Sequence, residues 1–340
     1  MSSSGVFLAT NRRRELKTIE TGDPLHPQLR VWTFGNDVEP GSGHHRLQVI
    51  GWQDAAGFQF PRWVEYSQEA AFFPALEALA DRPVKSVTLF IHGFNNDFKH
   101  AVSGLTDLQN DLLACGYSGL LAGFDWPSFG GIHLYPKDRE HAEASVDQVF
   151  DFLGRLRAWC DEKRLPLLVI THSMGNYLFS LVAKKWLWHS GEGLNPWVDY
   201  LAMAAPDVAS TLFDPPSAGR AADPCGRGLV EMCRKIDILY SGKDKVLSLC
   251  EHIEQPYEQR LGRVGPHQSL PPTVTAVDMG AEGVDSHWGY FEGAPFGELV
   301  RRLIAAEQSV SFQAAAVLPK PPRRVGAKVQ RGKTAKTKKH

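Results

Sequence analysis

The apolar run Leu165-Pro166-Leu167-Leu168-Val169-Ile170 passes directly into Thr171-His172-Ser173-Met174-Gly175, and helix-forming sequence follows at once. An unbroken apolar strand of this kind is buried on both faces, as strands of parallel sheets are. A serine set between such a strand and a helix has the layout of a nucleophile elbow. There the chain turns so sharply that the serine projects over the sheet, and only small neighbours fit beside it. Gly175 supplies the small residue two positions after the serine. Two positions before it stands Thr171, so the strict G-x-S-x-G pattern is not met. Alone, the segment also reads as an ordinary strand-to-helix turn that holds a serine. The rest of the chain favours the elbow.

Some 80 residues upstream, the β-branched and apolar run from Val84 to Ile91 ends in His92-Gly93-Phe94-Asn95-Asn96. Acyl transfer to a serine creates an oxyanion, which needs fixed N–H donors aimed at the place where that charge develops. One donor is the N–H just after the nucleophile, here Met174. The second comes from the loop after an upstream strand, where His-Gly-x sequences sit. The N–H of Phe94 is the candidate, with Asn95 next in line.

A serine hydroxyl becomes a useful nucleophile only when a base takes its proton and a carboxylate holds that base. In folds built round this turn the chain order is Ser, then Asp or Glu, then His. Five histidines follow Ser173, at 189, 252, 267, 287 and 340. His189 comes too soon after the elbow helix and His340 ends a basic tail. His287 sits in Asp285-Ser286-His287-Trp288, after the strand-like stretch Thr273–Met279, and is the expected base. For the acid, Lys235–Ser241 reads as the next-to-last strand and Asp244 follows it in a turn. That places Asp244 at the carboxyl edge of the sheet, where open α/β sheets bind ligands. Asp207, at the end of Tyr200–Pro206, occupies the equivalent edge one strand earlier and is the alternative acid. Trp126 and Trp288 fall in loops at the same edge. With Asn95 they are candidates to line a substrate pocket, ordinary aromatic packing being the other reading of the two tryptophans.

Several segments together resemble a bacterial group of esterase-like α/β-hydrolases of unknown function. They are Val6-Phe7-Leu8-Ala9-Thr10-Asn11-Arg12, Ile91–Asn95, Phe124-Asp125-Trp126-Pro127-Ser128, Thr171–Asn176, Ala204-Ala205-Pro206-Asp207 and Asp285-Ser286-His287. The resemblance covers about residues 5–310 and departs at Thr171 and at Asp125, where an uncharged serine is expected. It implies the α/β-hydrolase fold and a serine-hydrolase reaction class, without a natural substrate. The fold expected is a mainly parallel, doubly wound sheet with antiparallel N-terminal strands and no large cap domain.

The 340 residues, 43% of them hydrophobic, suffice for one large core. From about residue 84 strands alternate with helical patterns, which argues for a parallel sheet. Val146, Val149, Phe150, Leu153 and Leu156 recur at helical spacing and should face it. Met174–His189 is apolar nearly all round, as befits a buried helix behind an elbow. The runs Leu29–Phe34 and Arg46–Trp52 read as an antiparallel extension of the sheet. Only 28 residues separate Pro206 from Lys235, too few for a helical cap, so a small loop over an open cleft is expected.

Charge is uneven along the chain. Residues 320–340 hold nine Lys and Arg and no acid, leaving 28 basic against 38 acidic side chains in the first 319, a formal −10. A hydrolase domain over residues 1–318 with a disordered basic tail over 319–340 is therefore expected. The tail lacks aromatics for stacking on nucleic acid. A weak polyanion or anionic-lipid contact through Lys320–His340 is the most that its charge suggests. Oligomeric state is not legible. No run approaches a membrane span, and Gly5–Ala9 is too short for a secretory signal. Five widely spaced cysteines fit reduced thiols in the cytoplasm. Neither C-x-x-C nor H-E-x-x-H occurs, so neither a metal nor a cofactor is expected. The expected function is hydrolysis of small-molecule carboxylic esters by a Ser173–Asp244–His287 triad. The alternative is a catalytically silent scaffold of the same fold that binds a ligand or partner.

Overall fold

The computed structural model describes residues 5–20, 28–38, 46–51, 62–65, 84–129, 131–190, 195–217, 221–253 and 258–309. The expected basic tail, 319–340, lies outside the described residues. In chain order the elements are β1 (Gly5–Thr10), β2 (Arg12–Glu20), β3 (Gln28–Val38), β4 (Arg46–Gly51), β5 (Arg62–Glu65), β6 (Val87–Ile91), α1 (Phe98–Ala114), β7 (Leu120–Asp125), α2 (Tyr135–Ala144), α3 (Val146–Lys163) and β8 (Leu167–His172). They continue with α4 (Met174–Ser190), β9 (Tyr200–Ala204), α5 (Pro224–Met232), β10 (Ile236–Tyr240), α6 (Lys245–Ile253), α7 (Leu261–Val264), β11 (Val274–Asp278) and α8 (Gly293–Ser309).

Nine strands form one sheet in the order β11-β10-β9-β8-β6-β7-β1-β4-β5. The seven from β11 to β1 pair in parallel, and β4 and β5 add an antiparallel edge. Side chains of the central strands alternate between the two faces, as the period of two demands. Leu89 of β6 and Val169 of β8 join one buried cluster with Leu153 of α3, Phe179 of α4 and Leu229 of α5. Phe90 and Ile170 join the other with Leu105 of α1 and Leu303 of α8. Helices on both faces of a parallel sheet make a doubly wound α/β fold.

The helical stripe on α3 packs as its spacing predicts. Val149, Leu153 and Leu156 are fully buried, and Val146 and Phe150 pack partly buried against the same cluster. The segment between Pro206 and Lys235 carries α5, whose Gly228 lies against α4. A Cβ on Gly228 would come 2.5 Å from the Ala183 carbonyl oxygen. This helix therefore packs on the body of the fold, and no large cap is evident among the described residues.

The N-terminal strands require a correction. Only the Arg46 run extends the sheet antiparallel, as β4 beside β1. The run around Leu29–Phe34 belongs to β3, which pairs with β2 in a separate two-stranded sheet. The opening strand β1 runs parallel to β7, in register from Phe7 opposite Ala122 to Thr10 opposite Asp125. Phe7, Leu8 and Ala9 are buried there, so burial on both faces sets the strand's place. Among the described residues no helix is long and apolar enough to cross a membrane.

Candidate active site

The parallel strands bring their carboxyl ends to one edge, and every sequence-predicted site residue lies just beyond it. Ser173 follows β8 with φ +52°, a left-handed conformation that a non-glycine residue holds only when its surroundings enforce it. Three backbone bonds do so. Ser173 N–H donates to the Ala204 carbonyl at 3.0 Å, and its own carbonyl accepts from Asn176 N at 3.0 Å and Asp207 N at 3.2 Å. A Cβ on Gly175 would lie 2.5 Å from the Ile91 carbonyl oxygen, and one on Gly93 would lie 2.7 Å from Ser173 Cβ. Both glycines are therefore needed for the turn to close on β6. Thr171 fits without being small. Its hydroxyl donates to Asn176 Oδ1 at 2.6 Å, while Asn176 Nδ2 donates to the Ser173 and Ala204 carbonyls, each at 3.1 Å. Thr171 and Asn176 thus bridge the turn that the usual pattern closes with small residues.

His287 and Asp244 meet although 43 residues separate them: His287 Nδ1 lies 2.7 Å from Asp244 Oδ2. The other carboxylate oxygen of Asp244 accepts from the N–H groups of Val246 and Leu247, both at 3.0 Å, at the start of α6. Burial by itself raises the Asp244 pKa, but the His287 ring and the Leu247 N–H outweigh it and hold the group below the usual carboxylate range. It stays ionised. Ser173 Oγ and His287 Nε2 are both buried and make no hydrogen bond among the described residues.

Asp207 faces elsewhere. Tyr135 donates its hydroxyl to Asp207 Oδ2 at 2.6 Å, and Arg260 Nε forms an ion pair with Oδ1 at 3.2 Å, without hydrogen-bond alignment. This carboxylate is occupied by a buried cation and a phenol.

In the loop after β6, the Gly93 carbonyl accepts from His92 Nδ1 at 2.8 Å and from Asn96 Nδ2 at 3.2 Å. A trans peptide points its N–H opposite to its carbonyl, so the Phe94 N–H is turned away from both of those groups. Neither it nor the Met174 N–H donates to an acceptor among the described residues. Asn95 is exposed, with φ +62°, and its N–H reaches Asp138 Oδ2 at 3.4 Å. Trp288 is 37% exposed and meets the His172 ring edge-on at 5.0 Å. Trp126 does not line an open pocket. It is fully buried, stacks on His92 at 5.4 Å and donates its indole N–H to the His92 carbonyl at 2.9 Å.

Sequence reasoning passed over His172. Its Nε2 donates to the His287 carbonyl at 2.9 Å, and its ring centroid lies 4.7 Å from that of His287. Adjacency to Ser173 was the available signal, but nothing in the sequence tells that this ring reaches a loop 115 residues on. Burial and the neighbouring His287 push its pKa down to about 3, so it is a neutral donor at ordinary pH. Below the usual imidazole value of about 6.5 the unfolded chain binds a proton here that the folded chain refuses. Stability should therefore fall as pH drops from about 6.5 toward 3, by up to about 1.4 kcal/mol per pH unit from this group. Urea unfolding of wild type and His172→Gln between pH 4.5 and 6.5, a range of about two units, should show a shallower slope in the variant. Parallel slopes would dismiss the assignment.

A family described as alpha/beta hydrolase of unknown function (DUF900) matches residues 68–288, more than half of the chain. The chain belongs to that family. Several solved esterase structures are similar to this alpha/beta hydrolase. One of two fungal esterases from Rhizomucor miehei shares 13% identity over 88% of this chain and 84% of its own, with a TM-score of 0.40. An esterase from Pyrobaculum calidifontis shares 14% over 87% and 85%, with a TM-score of 0.36. A carboxylesterase from Mesorhizobium loti shares 17% over 66% and 91%, with a TM-score of 0.35. No curated protein matches the chain.

Proposed function

We propose that this alpha/beta hydrolase cleaves small carboxylic esters through an acyl-enzyme on Ser173. The observation that carries the reading is the 2.7 Å contact between His287 Nδ1 and the ionised Asp244. It fixes the proton on Nδ1 and leaves Nε2 as the basic atom, at the edge where Ser173 projects. In the first half-reaction Ser173 Oγ attacks the ester carbon and its proton passes to His287 Nε2. The carbonyl oxygen takes up negative charge before the N–H groups of Phe94 and Met174. Collapse breaks the C–O bond, and the alcohol leaves with the proton from Nε2. In the second half, water attacks the acyl-serine, again giving its proton to His287, and the acid departs as Ser173 Oγ recovers it. Trp288, exposed beside His172, offers an apolar wall for one arm of the ester.

A fluorophosphonate probe tests the reading, because it forms a covalent bond only to an activated serine. Labelling of wild type at Ser173, abolished in Ser173→Ala, is the expected result. Absence of labelling in a folded wild-type protein would instead favour a silent scaffold.

A further inference from the structure

Asp125, which replaces the serine expected in its motif, is fully buried at the end of β7. Arg12, just beyond β1, faces it with Nε 2.9 and 2.8 Å from the two carboxylate oxygens and Nη2 2.8 Å from Oδ1. The Thr10 hydroxyl donates to Oδ2 at 2.8 Å. Burial raises the Asp125 pKa, yet the Arg12 charge and the His92 ring outweigh it and hold the group below the usual carboxylate range. A buried ion pair of this kind contributes little net stability compared with apolar packing, because desolvation offsets the attraction. What the cluster does with its remaining bonds is more informative.

Two of them reach the loop that carries the Phe94 N–H. Arg12 Nη2 donates to the Asn96 carbonyl at 2.7 Å, and Nη1 to the Ser128 carbonyl at 3.3 Å. His92 Nδ1 donates to the Gly93 carbonyl at 2.8 Å, and Nε2 of the same ring stands 3.1 Å from Asp125 Oδ1 and 3.2 Å from the Trp126 N, pairing with the carboxylate when the ring carries both protons and accepting from the Trp126 N–H when it is neutral. One carboxylate is thus connected to both ends of Gly93–Asn96, through His92 at the start and Arg12 at the finish. We infer that Asp125, acting through Arg12 and His92, sets the orientation of the Gly93–Phe94 peptide and so aims its N–H at the developing oxyanion. Asp125 is a positioning residue and touches no substrate. The charge that departs from the expected motif is the anchor of the oxyanion loop.

The inference rests on the proposed serine-hydrolase reading, and its test can fail separately. Replacing the ester carbonyl oxygen by sulfur gives a thiono ester, whose larger, weakly accepting sulfur makes poor use of N–H donors placed for oxygen. The ratio of kcat/KM for the oxo ester to that for its thiono counterpart therefore reads the alignment of those donors. Asp125→Asn keeps the shape and removes the charge. It should lower kcat on the oxo ester on the order of 10²-fold with KM nearly unchanged, and compress the oxo-to-thiono ratio. Arg12→Lys keeps a cation opposite Asp125 while withdrawing the arm that reaches Asn96, and should compress the same ratio even where Asp125→Asn fails to fold. Unchanged ratios in the folded variants, whatever their rates, would overturn the inference. Failure of the underlying reading would show differently, as wild-type turnover surviving in Ser173→Ala.

Discussion

Ser173→Ala is expected to lower turnover of short-chain aryl esters by a factor on the order of 10³–10⁶, since the members of a triad act as a unit. Folding should survive the change. Ser173 Oγ makes no hydrogen bond among the described residues, so its loss leaves none of them unsatisfied. Alanine meets the same left-handed backbone at φ +52° with the same Cβ, so no new strain arises. Steady-state kinetics beside a thermal melt would check both halves. Wild-type turnover in the variant would remove Ser173 from the mechanism. Lost turnover accompanied by a collapsed melt would leave the labelling experiment to decide.

The second large effect separates two aspartates. His287→Ala should match the serine variant, and Asp244→Asn should lower kcat on the order of 10³–10⁴-fold. An amide in place of the carboxylate can present an N–H to Nδ1 and shift the ring proton to Nε2, the atom that must accept from serine. Asp207→Asn should behave in the opposite way. It takes the negative charge from beside buried Arg260 and should destabilise the fold by about 3 kcal/mol or more, as breaking a buried pair does. The molecules that remain folded should keep activity within roughly tenfold of wild type. If Asp207→Asn inactivates without destabilising while Asp244→Asn does not, the acid lies one strand earlier than proposed.

Much of this was readable in the chain because the signals are local. An apolar strand ending in a serine, a second ending in His92-Gly93, and acidic and histidine residues just past later strands are all short-range patterns. A parallel sheet then carries the strand ends to one edge. β2 escaped notice for an equally local reason. Its sequence Arg12-Arg13-Arg14-Glu15-Leu16-Lys17-Thr18-Ile19-Glu20 is mostly charged and lacks the apolar alternation that announces a strand.

The sequence favours Asp244 as the partner of His287 but leaves Asp207 as the alternative, because the two occupy equivalent places at neighbouring strand ends. Arg260 and Tyr135 engage the first, and the loop bearing His287 comes down on the second. The same holds for Trp126, a loop residue by sequence that the fold buries beneath His92, and for Asp125, a departure from a motif that becomes a hub only when Arg12 arrives from 113 residues away. Local propensity and hydrophobic period determine strands, turns and the edge at which chemistry can occur. Partner choice among buried charged and aromatic groups depends on contacts between segments distant in sequence, and only the tertiary structure decides it.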